Sequence, residues 1–158
     1  MLVKEVMTKQ VISVLNKMTF FETAKLFLKH GISGAPVVNE KGELVGVLSE
    51  KDLFRALYPT HKDFYTNPRT YIIGDGLENT AKEAKNKTIE EISSKRLITT
   101  TPETNVLKIG GSMVATGIHR VPVVDEKKLV GMVSRGDIYR AVLKRTYDLS
   151  ILDEQYAS

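Results

Sequence analysis

The chain says nearly the same thing twice. Gly31-Ile32-x-x-x-Pro36-Val37-Val38-x-Glu40-Lys41 returns as Gly117-Ile118-x-x-x-Pro122-Val123-Val124-x-Glu126-Lys127. After a turn one residue shorter, Leu44-Val45-Gly46-x-x-Ser49-x-x-Asp52-x-x-Arg55-Ala56 returns as Leu129-Val130-Gly131-x-x-Ser134-x-x-Asp137-x-x-Arg140-Ala141. Seven of eleven positions in the first block and seven of thirteen in the second are identical. Unrelated sequence would give roughly one or two, so one supersecondary unit has been used twice. A unit of about 55 residues is too small for a comfortable core of its own, and packing two copies together removes that difficulty.

Each copy reads as β-α-β-β-α, an α/β fold of the α+β kind. A β-rich stretch (Val11 to Leu15; Leu97 to Thr101) leads into a helix stopped by Gly31 or Gly117. The first helix carries Phe20, Ala24, Phe27 and Leu28 on its expected buried face, the second Val106, Gly110, Met113 and Val114. Gly110-Gly111 inside a helix costs roughly 1 kcal/mol per residue against Ala, which suggests that another backbone packs closely there. A hairpin follows, Ala35–Val38 with Leu44–Leu48 around the turn Asn39-Glu40-Lys41-Gly42. Pro36 cannot donate to a ladder, which predicts a first residue or an edge strand. A second helix runs from Glu50 to Leu57.

The organisation is therefore repeat 1 over residues 1–57, an inserted linker over 58–88, repeat 2 over 89–145 and a tail over 146–158. The insert holds Phe64, Tyr65, Tyr71, Ile72 and Ile73, too apolar for a free linker, and a helix is expected over Asn79 to Lys87. The tail places Tyr147, Leu149, Ile151 and Leu152 at near-helical spacing, which leaves two readings, docking on a partner subunit or a frayed end.

Several chemistries are excluded at this level. The 158 residues include no cysteine, so there is no disulfide framework, thiolate metal site or thiol nucleophile. No run approaches the roughly 18 apolar residues of a membrane span, and the opening residues lack a secretory core, so a soluble cytoplasmic protein is expected. A net charge of +4 tolerates an anionic ligand but is too dispersed for a nucleic-acid interface. There is no phosphate loop, dinucleotide fingerprint or nucleophile elbow, and His30, His61 and His119 lack metal spacing. No catalytic or metal-binding residue is named.

What recurs is Ser-x-x-Asp at a strand-to-helix junction: Ser49-Glu50-Lys51-Asp52 and Ser134-Arg135-Gly136-Asp137. One such motif is most simply a capping box, with the acid favourably placed against the helix dipole. The same physics serves a ligand, because exposed N–H groups at a helix start attract anions and a carboxylate accepts from ribose hydroxyls. Two occurrences, each behind G-I-x-x-x-P-V-V, favour the ligand.

That ordered series, present twice, resembles a tandem pair of CBS domains, a Bateman module. The opening Val3-Lys4-Glu5-Val6-Met7-Thr8 also resembles the family's usual start, although Ser93-Ser94 replaces Met-Thr in the second copy and Asn16 stands opposite Pro102. The segments Ile98 to Pro102 and Ile118 to Pro122 are similar to the nucleotide-binding repeats of the AMP-activated protein kinase gamma subunit. The resemblance implies pseudo-twofold packing of the repeats and two clefts for adenosine-containing ligands: AMP, ADP, ATP or S-adenosylmethionine. It implies a first cleft from Ser49, Lys51 and Asp52 with Ile98, Thr101, His119 and Arg120. A second would use Ser134, Arg135 and Asp137 with Ile12, Leu15, Ser33 and Gly34. His119 and Arg120 bring donors suited to phosphate, so the first cleft is expected to bind phosphorylated adenosine more tightly. A homodimer and a separate effector protein are further implications. The competing readings are an interaction module with capping motifs only, a weak nucleic-acid binder, and an enzyme using adenosine nucleotides.

Overall fold

The computed structural model describes residues 1–58, 65 and 76–147. It divides into two compact units, one from Ile12 to Leu97, the other joining Met1–Val11 to the chain from Ile98 onward. Packing boundaries and repeat boundaries thus differ by eleven residues at the start of the first copy and nine at the start of the second.

In the Ile12–Leu97 unit, β1 (Val14–Leu15) runs parallel to β2 (Gly34–Val38), which pairs antiparallel with β3 (Leu44–Ser49). Between β1 and β2 lies α1 (Phe20–His30), capped by Thr19. Glu22 accepts from the Thr19 amide at 2.8 Å and hydroxyl at 3.0 Å, which holds its carboxyl below the ordinary carboxylate range. Gly31 ends the helix at φ 60°, a left-handed stop. Following β3 come α2 (Glu50–Leu57), α3 (Gly76–Ala84) and the short α4 (Ile89–Ile92). The core gathers Val14, Phe20, Phe27, Val37, Leu48, Leu53, Ala84 and Ile89.

The other unit has the same plan. It holds α5 (Val106–Thr116), the hairpin β4 (Arg120–Asp125) and β5 (Lys128–Ser134), and α6 (Arg135–Tyr147). Its core is Val3, Ile109, Met113, Val121, Val123 and Val133. The shorter hairpin turn is closed by Glu126 and Lys127 at φ 45° and 72°, the mirror-image geometry that a two-residue loop requires. The first copy, one residue longer, needs only Gly42 at φ 76°.

Each repeat lends its leading segment to the other's core. Thr8 bridges Met132 beside β5, and Ser94 bridges Val47 in β3. Val3 and Ile89, at equivalent positions, are both fully buried. This explains the glycine of each Leu-Val-Gly. A Cβ on Gly46 would lie 3.2 Å from the Ser94 carbonyl oxygen, and one on Gly131 3.0 Å from that of Thr8 and 2.8 Å from Met7 Sδ.

Several expectations are corrected. The strand expected over Val11–Leu15 shrinks to two residues, and that over Leu97–Thr101 to a single parallel bridge between Thr100 and Val123. The shortening follows from the chain passing between compact units at Val11/Ile12 and Leu97/Ile98. Pro36 lies inside the central strand, not at an edge. Its partner Val47 gives its amide to Ser94, so the Pro36–Val47 pair needs no mutual hydrogen bond. The missing N–H then falls on the β1 side, where pairing begins only at Val37. Leu28 and Val114 are 84% and 80% exposed rather than core-facing. No backbone crowds Gly110 or Gly111: a Cβ on the first would meet only Ile138 at 3.8 Å, and one on the second nothing.

The insert's last part does pack on the domain. Ala84 is buried, and the carbonyls of Lys85 and Lys87 accept from the Phe21 and Phe20 amides at the start of α1. The helix expected over Asn79–Lys87 is Gly76–Ala84, followed by a turn. Phe64, Tyr71, Ile72 and Ile73, and the tail beyond Tyr147, lie outside the described residues. Among the described residues no helix is long and apolar enough to cross a membrane, and no cluster of acidic and histidine side chains could hold a metal ion.

Candidate functional site

Both Ser-x-x-Asp motifs fall where a strand turns directly into a helix, and the hairpin fixes the place. Gly34 faces Ser49 across β2 and β3, and the Glu50 amide donates to the Ser33 carbonyl at 2.9 Å. A Cβ on Gly34 would stand 3.1 Å from the Leu48 carbonyl oxygen, a close approach of the pre-proline loop to the junction. In the second copy Arg120 faces Ser134, and the Arg135 amide donates to the His119 carbonyl at 3.0 Å. Each junction therefore meets the pre-proline loop of its own repeat.

The two junctions share one hydrogen-bond geometry. The Ser49 amide and hydroxyl donate to Asp52 Oδ2 at 2.8 and 2.6 Å, and Ser134 donates to Asp137 Oδ2 at the same distances. One carboxylate oxygen is thereby fixed by the cap, which orients the other without consuming it.

Their surroundings differ. Asp52, Arg55 and Ala56 of α2 line a cavity of about 450 Å³ with Lys87, Glu91 and Ile92. Two carboxylates and two cations in that wall offer acceptors for hydroxyls and donors for an anionic group. Asp137 Oδ1 is instead held by Arg140 at 2.7 Å. Arg135 donates through Nε to the Ile118 carbonyl at 3.1 Å and through its terminal nitrogen to that of Met113 at 2.9 Å, tying α6 to the end of α5.

The remaining candidates fall as follows. Ser49, Lys51 and Asp52 lie in one unit with Ile12, Leu15, Ser33 and Gly34, while Ser134, Arg135 and Asp137 lie in the other with Ile98, Thr101, His119 and Arg120. Ile12, Leu15, Ser33, Lys51, His119 and Arg120 are exposed. Ile98 and Thr101 border a cavity of about 250 Å³ whose wall is rich in hydroxyls: Thr99, Thr100, Thr104 and Ser112, with Lys108. Sequence reading missed Arg55, Lys87, Glu91, Thr104, Lys108 and Ser112 as wall residues. The run Thr99-Thr100-Thr101 was the one signal for the smaller cavity.

Comparison with known proteins agrees with this architecture. The CBS domain family model matches residues 3–59 and 89–144. An uncharacterised protein of Methanocaldococcus jannaschii is 30% identical over 156 residues, covering 90% of this chain and 92% of its own. Two other relatives are longer, and the chain spans 45% and 41% of them. Among solved structures, the CBS domain pair of protein MJ0100 in complex with 5′-methylthioadenosine and S-adenosyl-L-methionine is 30% identical with a TM-score of 0.66, over 92% of this chain and 98% of that one. The structure of CBSX2 in complex with AMP has a TM-score of 0.70 over 91% and 97% of the chains, and at 24% identity speaks for the fold alone. With two family matches on two copies of one β-α-β-β-α plan, the chain belongs to the CBS domain family, as a tandem pair.

Proposed function

We propose that this CBS pair is a non-catalytic regulatory module that binds an adenosine-containing ligand (AMP, ADP, ATP or S-adenosylmethionine) at its Ser-Asp junctions. The observation carrying the reading is the matched geometry at Asp52 and Asp137, each with one oxygen fixed by its serine. A carboxylate so held accepts from the hydroxyls of a ribose without rearranging, and charged hydrogen bonds of this kind contribute about 1.5–3 kcal/mol. The MJ0100 pair, with methylthioadenosine and S-adenosylmethionine bound, supports adenosine as the common element. His119, Arg120 and Lys51, exposed and cationic or cation-capable, are the proposed partners for a phosphate or other charged group. In the energy-sensing form of this reading, the AMP-to-ATP ratio sets the occupied state. Binding transmits a signal only through different affinities for two conformations or assemblies.

Calorimetric titration with AMP and with S-adenosylmethionine tests the assignment. Asp52→Asn keeps the size and the cap but removes the charge, and should weaken binding about 10- to 100-fold at its site. Unchanged affinity in Asp52→Asn, Asp137→Asn and the double variant would refute it.

Self-association is the proposed readout. Exposed apolar side chains recur at equivalent places in both repeats: Phe21 with Leu107, Leu28 with Val114, and Phe54 with Tyr139. Matched patches suit a symmetric homodimer, in which a separate effector protein would recognise the assembled form.

A further inference from the structure

We infer that Arg140 is a latch on Asp137 and that it makes the second junction the weaker of the two ribose sites, a proposal that rests on the ribose-binding reading above. Asp137 has both carboxylate oxygens engaged, Oδ2 by Ser134 and Oδ1 by the Arg140 guanidinium at 2.7 Å. Asp52 has the same serine partner, and Arg55 stands at the same place one turn on, yet no ion pair joins them among the described residues. Asp52 lines an open cavity instead.

The residue immediately before the aspartate accounts for the difference. In the second copy it is Gly136, and a Cβ built there would lie 3.0 Å from one terminal nitrogen of Arg140 and 3.5 Å from the other. The guanidinium folds back over the helix start through space that any side chain would fill. The first copy has Lys51 at that position, so the equivalent space is taken. Gly136 is not in a left-handed conformation, so nothing in its own backbone demands glycine. The space left by its absent side chain is where the guanidinium rests, and a Cβ there would press that flexible end aside.

The consequence is selectivity between two otherwise equivalent junctions. A ribose approaching Asp52 finds an acceptor oxygen; one approaching Asp137 must displace a cation. Arg140 is 63% exposed and Asp137 19%, so the pair is of the screened, weak kind, corresponding to about a two- to fivefold handicap in affinity. A latch of that strength biases occupancy toward the first junction and yields to a ligand present at a few times higher concentration.

Two measurements test the proposal. Side-chain nitrogen NMR should show Arg140 with hindered guanidinium rotation and Arg55 rotating freely, with Gly136→Ala restoring free rotation to Arg140. Equal rotation of the two arginines in the unaltered protein would overturn the latch whatever the ligand does. Titration with adenosine, an uncharged probe, in an Asp52→Asn background should then tighten about two- to fivefold in both Arg140→Ala and Gly136→Ala. Gly136→Ala keeps the cation and removes only its resting place, so its agreement with Arg140→Ala separates latching from a general loss of charge. Unchanged adenosine affinity in both variants, with the latch visible by NMR, would overturn its role in selectivity. Absence of adenosine binding even to the unaltered protein would count against the ribose reading itself, and the NMR result would still decide the latch.

Discussion

At the residue scale, glycines separate two physical roles that look alike in sequence. Gly46 and Gly131 are crowded by backbone from the other repeat's leading segment, whereas Gly111 faces open space inside a helix. Gly46→Ala should therefore destabilise by about 1–3 kcal/mol, through overpacking against the Ser94 carbonyl. Gly111→Ala should stabilise by about 0.5–1 kcal/mol, because only its conformational freedom is at stake. Urea unfolding of the two variants checks both signs at once. The serine-aspartate junctions were legible because a cap and an anion site are both local, written within four residues. Arg135 was not: that its guanidinium closes on Met113 and Ile118 depends on contacts about 20 residues away. The engagement of Arg140 with Asp137 was hidden for a different reason, since the motif repeats and the rotamers do not.

Helices and hairpins were legible at the scale of elements because their signals are periodicity and turn residues. Gly31, Gly42 and Gly117 sit at positive φ where the helices and the first hairpin end. Leading segments were not, because nothing in a local pattern says which repeat a strand completes. The repeat is a unit of sequence, while the compact unit takes its first eleven residues from the other copy. Removing Met1–Thr8 should consequently damage the unit built from repeat 2. It takes the fully buried Val3 from the core of Ile109, Met113 and Val133, a loss of roughly 1.5–3 kcal/mol for that side chain alone. Hydrogen exchange should show β4 and β5 losing protection first while β2 and β3 retain theirs. The reverse order would contradict the exchange of segments.

For the whole molecule, the matched exposed residues of the two repeats are the argument for the proposed homodimer. Leu28 and Val114 were expected in the core from their helical spacing, and that expectation failed because each helix buries a narrower face than the pattern allowed: Phe20, Thr23 and Phe27 in α1, Val106, Ile109 and Met113 in α5. Side chains so exposed contribute little to the monomer's fold. The double substitution Leu28→Lys, Val114→Lys should leave unfolding within about 0.5 kcal/mol and lower the mass seen by light scattering to that of one chain. An unchanged mass would remove these helices from the interface.

The central claim, an adenosine-binding regulator, is tested most directly by thermal unfolding of nucleotide-stripped protein against AMP, ADP, ATP and S-adenosylmethionine. A ligand at 100 times its dissociation constant stabilises by about 2.7 kcal/mol, which for a chain of this size is a rise of several degrees. The account predicts that rise with at least one of the four, reduced in Asp52→Asn and cut to about half or less when Asp137→Asn is added. No rise with any of them, or a rise undiminished by both substitutions, would contradict it.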